Sequence, residues 1–196
     1  MFALVESGSI IKFFSGNKGV TIEDIQYPKT IFSIWTEDER NEIGIFSVEI
    51  DNTNKKDEEY YYNTDITYSF DKDKVIGSYG LATPKNLDDE YDDDDKLVAY
   101  GLKSKKKQII KRQAEGLLAP TDWYVIKATE VEDYSVPSNI TTFRADVRAK
   151  SNEMETAIDN ATDVDALATL YAYVNTGTEE NPVIERPLGE FPILEQ

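Results

Sequence analysis

The chain has 196 residues, of which 38 are acidic and 21 basic, giving a formal net charge of −17 at pH 7, and it contains neither histidine nor cysteine. Those two absences exclude Ser-His-Asp and Cys-His catalysis, metal sites built on imidazole or thiolate ligands, and disulfide bonds. Hydrophobic residues make up 40% of the chain, enough for a packed core in one domain or two small ones. We therefore expect a globular α+β protein without cofactor or metal, in which any chemistry would use carboxylates, Lys, Tyr or hydroxyls.

Short β-prone segments alternate with turn signals through the first half of the chain. Ser7-Gly8-Ser9 separates residues 2–6 from 10–14 and predicts a hairpin. Thr36 predicts the N-cap of a helix over residues 37–42, and Gly44 falls where a left-handed residue ends such a helix. Further strands are predicted at 31–35, 45–50, 60–62, 66–70 and 75–79. We expect a β-rich domain over residues 1–87.

From about Lys96 the spacing of apolar residues changes to that of helices. A first helix, with Val98, Leu102, Ile109, Ala114 and Leu117 on one face, is predicted to end at Pro120. A second begins near Pro137, and its apolar face carries Ile140, Phe143, Val147, Met154 and Ile158. A third is predicted over residues 164–174 with Asp163 as its cap. We expect a helical domain over 96–176 and an extended, proline-containing tail over 177–196.

Charge is segregated near the middle of the chain. Seven of the eight residues 88–95 are acidic, whereas residues 103–112 hold six basic residues and no acid. The acidic run predicts a flexible linker between the domains, and its aspartates could collect Ca²⁺ although they lack the spacing of an EF-hand. The basic run fits either a strip for nucleic acid or an acidic partner, or the solvated face of a helix. We prefer the solvated face, because no aromatic residue is interleaved with the cations, and we expect no nucleic-acid partner.

Other candidate motifs point to architecture rather than chemistry. Residues 15–19 lack the spacing and the following helix of a phosphate-binding loop, so they predict a turn. Among 38 acidic residues, no carboxylate pair stands out as the acid and base of a glycoside hydrolase. Trp35 and Trp123 are predicted to be core residues. The chain shows no export leader and no apolar run long enough to span a membrane, so we expect neither a membrane nor a small-molecule partner.

One motif makes the chain recognisable. Leu117, Leu118, Thr121, Asp122 and Trp123 are followed by a proline and then by Phe143-Arg144 and Val147-Arg148. This order resembles the tail assembly chaperones and tail-fibre-associated proteins of tailed bacteriophages, whose helix after Thr-Asp-Trp carries an aromatic-Arg step and an apolar-Arg step. The N-terminal segments and a segment near the C-terminus are similar to proteins of this family from marine T4-like phages, at residues 2–6, 27–29, 31–35, 43–46 and 185–192.

The resemblance implies a role in phage tails, and it leaves two possibilities open. The first is a non-enzymatic virion structural protein of the tail, baseplate or fibre region, made in the host cytoplasm, with other phage structural proteins and possibly its own copies as partners. The second is an assembly chaperone that is absent from the mature particle. A third hypothesis from another class is a carboxylate hydrolase acting on surface glycans of the host.

Overall fold

The computed structural model describes residues 1–194 and shows an α+β protein. The chain divides into two compact units, one from Met1 to Thr83 and the other beginning at Pro84. Sheet dominates the first unit and helix the second. The division lies close to the predicted end of the β-rich domain at residue 87.

The first unit contains most of the strands and two short helices. Its elements are β1 (Phe2–Glu6), β2 (Ser9–Phe14), β3 (Val20–Ile22), β4 (Ile25–Tyr27), α1 (Ile31–Ile34), α2 (Glu37–Glu42), β5 (Ile45–Asp51), β6 (Tyr61–Tyr62), β7 (Ile66–Asp71), β8 (Lys74–Tyr79) and β9 (Thr83–Pro84), which ends at the division between the units. Five of them form one sheet in the order β2-β1-β5-β8-β7. The predicted hairpin β1–β2 is confirmed, and the strands predicted at 66–70 and 75–79 pair with each other as β7 and β8.

The five-stranded sheet curls so that its two outer strands approach each other. The rings of Phe13 on β2 and Tyr68 on β7 lie 4.6 Å apart between centroids. Ala3, Val5 and Val75 form one buried cluster of this unit. A second buried cluster contains Ile31 and Ile45. The alternation of side chains along β1 and β5 thus supplies apolar residues to two clusters.

The strand predicted at 31–35 is wrong, because this segment forms the short helix α1. Ile31 is 1% exposed, and Phe32 and Trp35 pack against the same cluster. This spacing of i, i+1 and i+4 places all three side chains on one helical face, which an alternating strand could not do. Trp35 is therefore a partly buried core residue, as predicted.

The helix predicted over 37–42 is confirmed as α2. Thr36 and Glu39 form a capping box, in which each side chain accepts a hydrogen bond from the other residue's backbone N–H. Gly44 has a φ of +77°, the left-handed conformation predicted for it. Local sequence signals were sufficient here because both ends of α2 are determined by neighbouring residues.

The second unit is built around a packed pair of long helices. Its elements are β10 (Glu90–Tyr91), β11 (Leu97–Ala99), α3 (Leu102–Leu118), a 3-10 turn (Ala119–Thr121), α4 (Asp122–Glu130), α5 (Ser138–Asp159), α6 (Val164–Tyr171), β12 (Val174–Asn175) and β13 (Ile184–Glu185). Helices α3 and α5 pack against each other. All five residues of the predicted apolar face of α5 are buried: Ile140, Phe143, Val147, Met154 and Ile158.

The start predicted for the first long helix is wrong by about six residues. Residues 97–99 pair with Glu90–Tyr91 as a small hairpin, and Val98 is 65% exposed instead of lying on the helix face. Helix α3 begins after Gly101, where a Cβ atom would come within 2.3 Å of the Asp88 backbone. The absence of a side chain at Gly101 therefore allows the acidic segment to approach the helix start.

We expected the acidic run 88–95 to be a flexible linker, and this prediction is wrong. The run is part of the second unit. Asp89 accepts hydrogen bonds from the Gly101 N–H at 2.8 Å and from the Ser104 hydroxyl at 2.8 Å. Asp88 forms an ion pair of 3.1 Å with Lys103. Carboxylates at the positive N-terminal end of a helix are electrostatically favoured, which explains why this acidic segment lies against α3.

The third helix and the segment after it differ from the prediction in extent. Asp163 caps α6 as predicted, accepting from the Ala166 N–H at 2.7 Å, but the helix ends at Tyr171 rather than 174. Beyond it, β12 and β13 form a hairpin. Leu188 is only 2% exposed, and Phe191 and Leu194 pack against the cluster of Ala114, Phe143 and Val147. The tail thus covers its own helical unit.

Candidate functional site

The residues of the motif meet at the corner where α3 ends and α4 begins. Leu117 and Leu118, on the last turn of α3, pack against a buried cluster that includes Phe143 and Val147 of α5. The 3-10 turn containing Pro120 then changes the direction of the chain and leads into α4. The two parts of the motif are therefore brought together, although about twenty residues separate them along the chain.

Arg144 holds this corner together. Its Nη1 atom lies 2.7 Å from Oδ1 of Asp122, 2.5 Å from Oγ1 of Thr121 and 3.0 Å from the carbonyl oxygen of Leu118. The Arg144 side chain is 11% exposed and Thr121 is 2% exposed, so the bond between them is shielded from water and stronger than a surface one. Arg144 therefore fixes the start of α4 relative to α5.

Thr121 determines which side of α4 faces the protein. It is 2% exposed, and its hydroxyl donates to the Leu118 carbonyl at 2.7 Å while accepting from Arg144. Tyr124 and Ala128, three and seven positions later, are half-buried and continue this inner side. Trp123 follows Thr121 by two positions, about 200° around the helix, and points away from the inner side.

The prediction that Trp123 is a core residue is therefore wrong. Its side chain is 50% exposed and stacks on Tyr124 with 3.8 Å between ring centroids. The prediction failed because a polar residue, Thr121, occupies the inward position that we assigned to the tryptophan. That arrangement is possible only because Arg144 and Leu118 satisfy the buried hydroxyl.

Helix α4 consequently presents an apolar surface to solvent. All nine of its residues are described, and none of them is buried. Ile126 is 56% exposed and Val125 41%. The ammonium of Lys127 lies over the rings of Trp123 and Tyr134, at 5.8 and 4.3 Å from their centroids. We call Trp123, Ile126, Lys127 and Glu130, which share one side of the helix, the α4 surface.

Arg148, the last residue of the motif, has a different role from Arg144. It is exposed, and its guanidinium donates to the Arg144 carbonyl at 3.2 Å. Both arginines line an open groove of about 480 Å³ between α3 and α5. Three of the charged residues on this groove form ion pairs within the chain, Asp122 with Arg144 and Lys111 with Glu155 at 3.3 Å. These pairs bind parts of the same unit to one another across the groove.

Lysines of the basic run on α3 also pair with acids of the same unit. Lys103 contacts Asp88, and Lys107 contacts Asp159 at 2.7 Å. Lys106 is 5% exposed, with its ammonium 4.2 Å from the centroid of the Tyr171 ring. The expectation of a solvated helix face is therefore wrong for Lys106, which is buried within the unit.

Two exposed carboxylates of the described residues have shifted pKa values, which bears on the glycoside hydrolase hypothesis. Within residues 1–194, no cluster of three or more acidic side chains is placed to hold a metal ion. The aspartates of the acidic run 88–95 therefore do not form the Ca²⁺ site that we considered. Hydrogen bonds from Thr36 lower the pKa of Glu39, and those from Thr53 lower the pKa of Asp51. A catalytic acid needs the opposite shift, a raised pKa, so neither group suits that role.

The sequence pointed to the motif residues but not to the exposed surface beside them. Thr121 was expected only as a motif residue, and Val125 and Ile126 were not singled out. The spacing of Thr121, Tyr124 and Ala128 (i, i+3, i+7) is the signal that could have identified the inner side of α4. Trp123 and Ile126, which lie away from that inner side, would then have indicated an exposed hydrophobic surface.

Searches against protein-family models, curated proteins and solved structures find no match to this chain. Within residues 1–194, no helix combines the length and the apolar character required to cross a membrane.

Proposed function

We propose that this protein is a non-enzymatic structural protein of a phage virion, in the tail, baseplate or fibre region, that acts by protein–protein assembly. The observation that carries this proposal is the α4 surface. A tryptophan and an isoleucine are exposed on one side of a helix whose start is held by Arg144. Exposed aromatic side chains on a preorganised element are typical of protein interfaces, whereas catalysis would require groups that converge on a reacting atom.

The resemblance of the motif to phage tail proteins supplies the class of assembly. The residues that carry this resemblance, from Leu117 to Trp123 and from Phe143 to Arg148, contribute to the corner that supports α4. The proposed layout is a β-rich N-terminal domain and a helical C-terminal domain that offers the α4 surface to other phage structural proteins. Synthesis would take place in the host cytoplasm, and the negative net charge of −17 would keep the free chain in solution before assembly.

An assembly chaperone is the second candidate, and the same surface favours it. A chaperone that leaves before the particle is complete must expose its binding surface in the free state, and the α4 surface is exposed in the single chain. The two functions differ in where the protein is found after assembly, which is directly measurable.

The test is mass spectrometry of gradient-purified phage particles, with the copy number measured relative to a major capsid or tube protein. A structural protein gives stoichiometric peptides, and a copy number divisible by three or six indicates the fibre or baseplate region. A chaperone is absent from particles and abundant in the infected lysate. Absence from particles together with no association with tail or fibre proteins in the lysate would contradict both functions.

A further inference from the structure

We infer that the α4 surface binds an apolar polypeptide segment flanked by lysine or arginine side chains and belonging to a different protein. This inference rests on the proposed assembly function and specifies the chemistry of the partner. It is carried by three observations: the exposure of the apolar side chains, the rigid support beneath them and the charge around them.

The apolar side chains have the size and setting of interface anchors. Trp123 is 50% exposed, and stacking on Tyr124 restricts its rotation. Ile126 lies one helical turn further along and is 56% exposed. Large aromatic residues dominate binding energies when a partner removes their remaining exposed surface from water.

The support beneath the surface lowers the cost of binding. Arg144 joins Thr121 and Asp122 to α5, and Lys127 lies between the rings of Trp123 and Tyr134. The turn after the helix is closed by a hydrogen bond of 3.1 Å from the Tyr134 N–H to the Val131 carbonyl. Because both ends of α4 are already fixed in the free protein, little conformational entropy of α4 would be lost when a partner binds.

Charge decides what kind of segment fits. Residues 121–143 contain four acids and one base. Asp122 is neutralised by Arg144, which leaves Glu130, Glu132 and Asp133 at the C-terminal end of α4 against Lys127. The last carbonyl groups of a helix add a partial negative charge at the same end. Cationic side chains beside an apolar ridge would therefore be attracted to this end of the surface.

The same charges disfavour a second copy of the chain as the occupant. A symmetric contact places the same patch of both molecules together. It would bring Glu130, Glu132 and Asp133 of one copy to those of the other, between chains that each carry a net charge of −17. Like charges brought together in this way oppose association, so we assign the surface to a different, basic partner.

The experiment measures the binding of labelled synthetic peptides to the full chain by fluorescence anisotropy. The probes are helical peptides of about 15 residues that share one face of leucines and carry either lysines or glutamates beside it. A third peptide keeps the lysines but replaces the leucines by glutamine. The protein variants are Trp123→Ala, Ile126→Gln and the triple change Glu130→Gln, Glu132→Gln and Asp133→Asn. The control is Val98→Ala, which alters an exposed apolar residue of the same unit, 65% exposed on β11.

We expect the lysine-flanked leucine peptide to bind at least about tenfold more tightly than either other peptide. Trp123→Ala and Ile126→Gln should each weaken its binding by about tenfold, and the triple variant should weaken it and reduce its dependence on salt. Val98→Ala should leave it unchanged. Circular dichroism of each variant shows whether the fold is retained, so that loss of binding can be assigned to the surface.

Three outcomes of the binding measurement would overturn the inference. They are equal binding of the glutamate-flanked peptide, no detectable binding of the lysine-flanked peptide, or binding that Trp123→Ala and Ile126→Gln leave unchanged. Sedimentation of the wild type as a dimer that Trp123→Ala dissociates would instead identify a second copy as the occupant and overturn it as well. The particle composition is measured independently. A virion component that fails the peptide test refutes this inference alone, whereas peptide binding by a chain without tail or fibre association refutes the proposed function.

Discussion

Arg144 of α5 and Asp122 of α4 form an ion pair of 2.7 Å in which the arginine is 11% exposed and the aspartate 55%. The pair is asymmetric: the cation is held inside the unit by further bonds to the turn before α4, and the anion lies at its edge. The energetic importance of Arg144 therefore comes from the buried acceptors that it satisfies more than from the exposed carboxylate.

Replacing Arg144 should destabilise the helical unit. Arg144→Ala leaves the Leu118 carbonyl and the Thr121 hydroxyl without their shared donor, at an expected cost of about 1–3 kcal/mol. Arg144→Lys should recover only part of this loss, because an ammonium lacks the planar fork of a guanidinium. Urea denaturation followed by circular dichroism measures both changes. The control is Arg148→Ala at an exposed position, for which we expect about 0.5 kcal/mol or less; equal effects at the two positions would contradict the role of Arg144.

Trp123 and Phe143 should respond very differently to truncation. Trp123 is 50% exposed, whereas Phe143 is 7% exposed in the cluster between α3 and α5. We expect Trp123→Ala to cost about 1 kcal/mol and Phe143→Ala about 3–5 kcal/mol. The midpoints of denaturant unfolding test this difference. A larger loss for Trp123→Ala than for Phe143→Ala would place the tryptophan in the core after all.

The tail should contribute to the stability of the helical unit through Leu188. This residue is 2% exposed, and its N–H donates to the Leu170 carbonyl at 3.0 Å. Leu188→Ala should therefore cost about 2–5 kcal/mol. Ile193→Ala, at a position that is 87% exposed, is the matched control and should change stability by about 0.5 kcal/mol or less. A neutral Leu188→Ala in thermal unfolding would show that the tail is dispensable.

The capping box of α2 should make the first unit sensitive to acid. Hydrogen bonds from the Thr36 backbone and hydroxyl hold the pKa of Glu39 below its ordinary value of 4.5. Because the folded-state pKa is the lower one, the stabilisation is present above pH 4.5 and is lost as the pH falls through the folded-state value. An NMR titration of the Glu39 carboxyl should show the lowered midpoint. Thr36→Ala should move it upward, and Glu6→Gln, far along the chain, should not; an unchanged midpoint in Thr36→Ala would reject the box as the cause.

The division at residue 83 predicts two fragments that fold independently. Residues 1–83 contain the five-stranded sheet with its two buried clusters, and residues 84–196 contain α3 to α6. Each fragment should show a dispersed NMR spectrum and a cooperative thermal transition. Cutting at residue 95 is the comparison, because it removes Asp88 and Asp89 from their contacts with α3 and should weaken the helical fragment. If 84–196 unfolds alone while the fragment from 96 stays folded, the division is misplaced.

Signals carried by neighbouring residues predicted much of the fold. The turn Ser7-Gly8-Ser9, the caps at Thr36 and Asp163 and the left-handed Gly44 all depend on backbone conformations that nearby side chains favour. The apolar face of α5 was equally clear, because five buried residues recur at helical spacing over many turns. Assignment of the protein to phage tails rests on the resemblance and stays a prediction.

Features that depend on distant residues were not predictable in this way. Residues 31–34 are β-prone but form a helix, because only helical spacing brings Ile31, Phe32 and Trp35 to one cluster. The acidic run was expected to be a linker because of its like charges, and its attachment to Gly101 and Ser104 was missed because those contacts join residues more than ten positions apart. Both errors follow from the same cause: tertiary contacts can outweigh local propensity.

By itself the sequence determined the class of the protein, the chemistry that it lacks, and the positions of its main turns, caps and apolar helix face, since these depend on composition and on contacts within a few residues. Only the tertiary structure decided which way α4 faces. A threonine is buried there and a tryptophan exposed, because the Leu118 carbonyl accepts from the threonine hydroxyl and Arg144, more than twenty residues away, donates to it. Hydrophobicity alone predicts a buried tryptophan and an exposed threonine. The threonine can be the buried residue because its hydroxyl is hydrogen-bonded, in part by a donor from another helix.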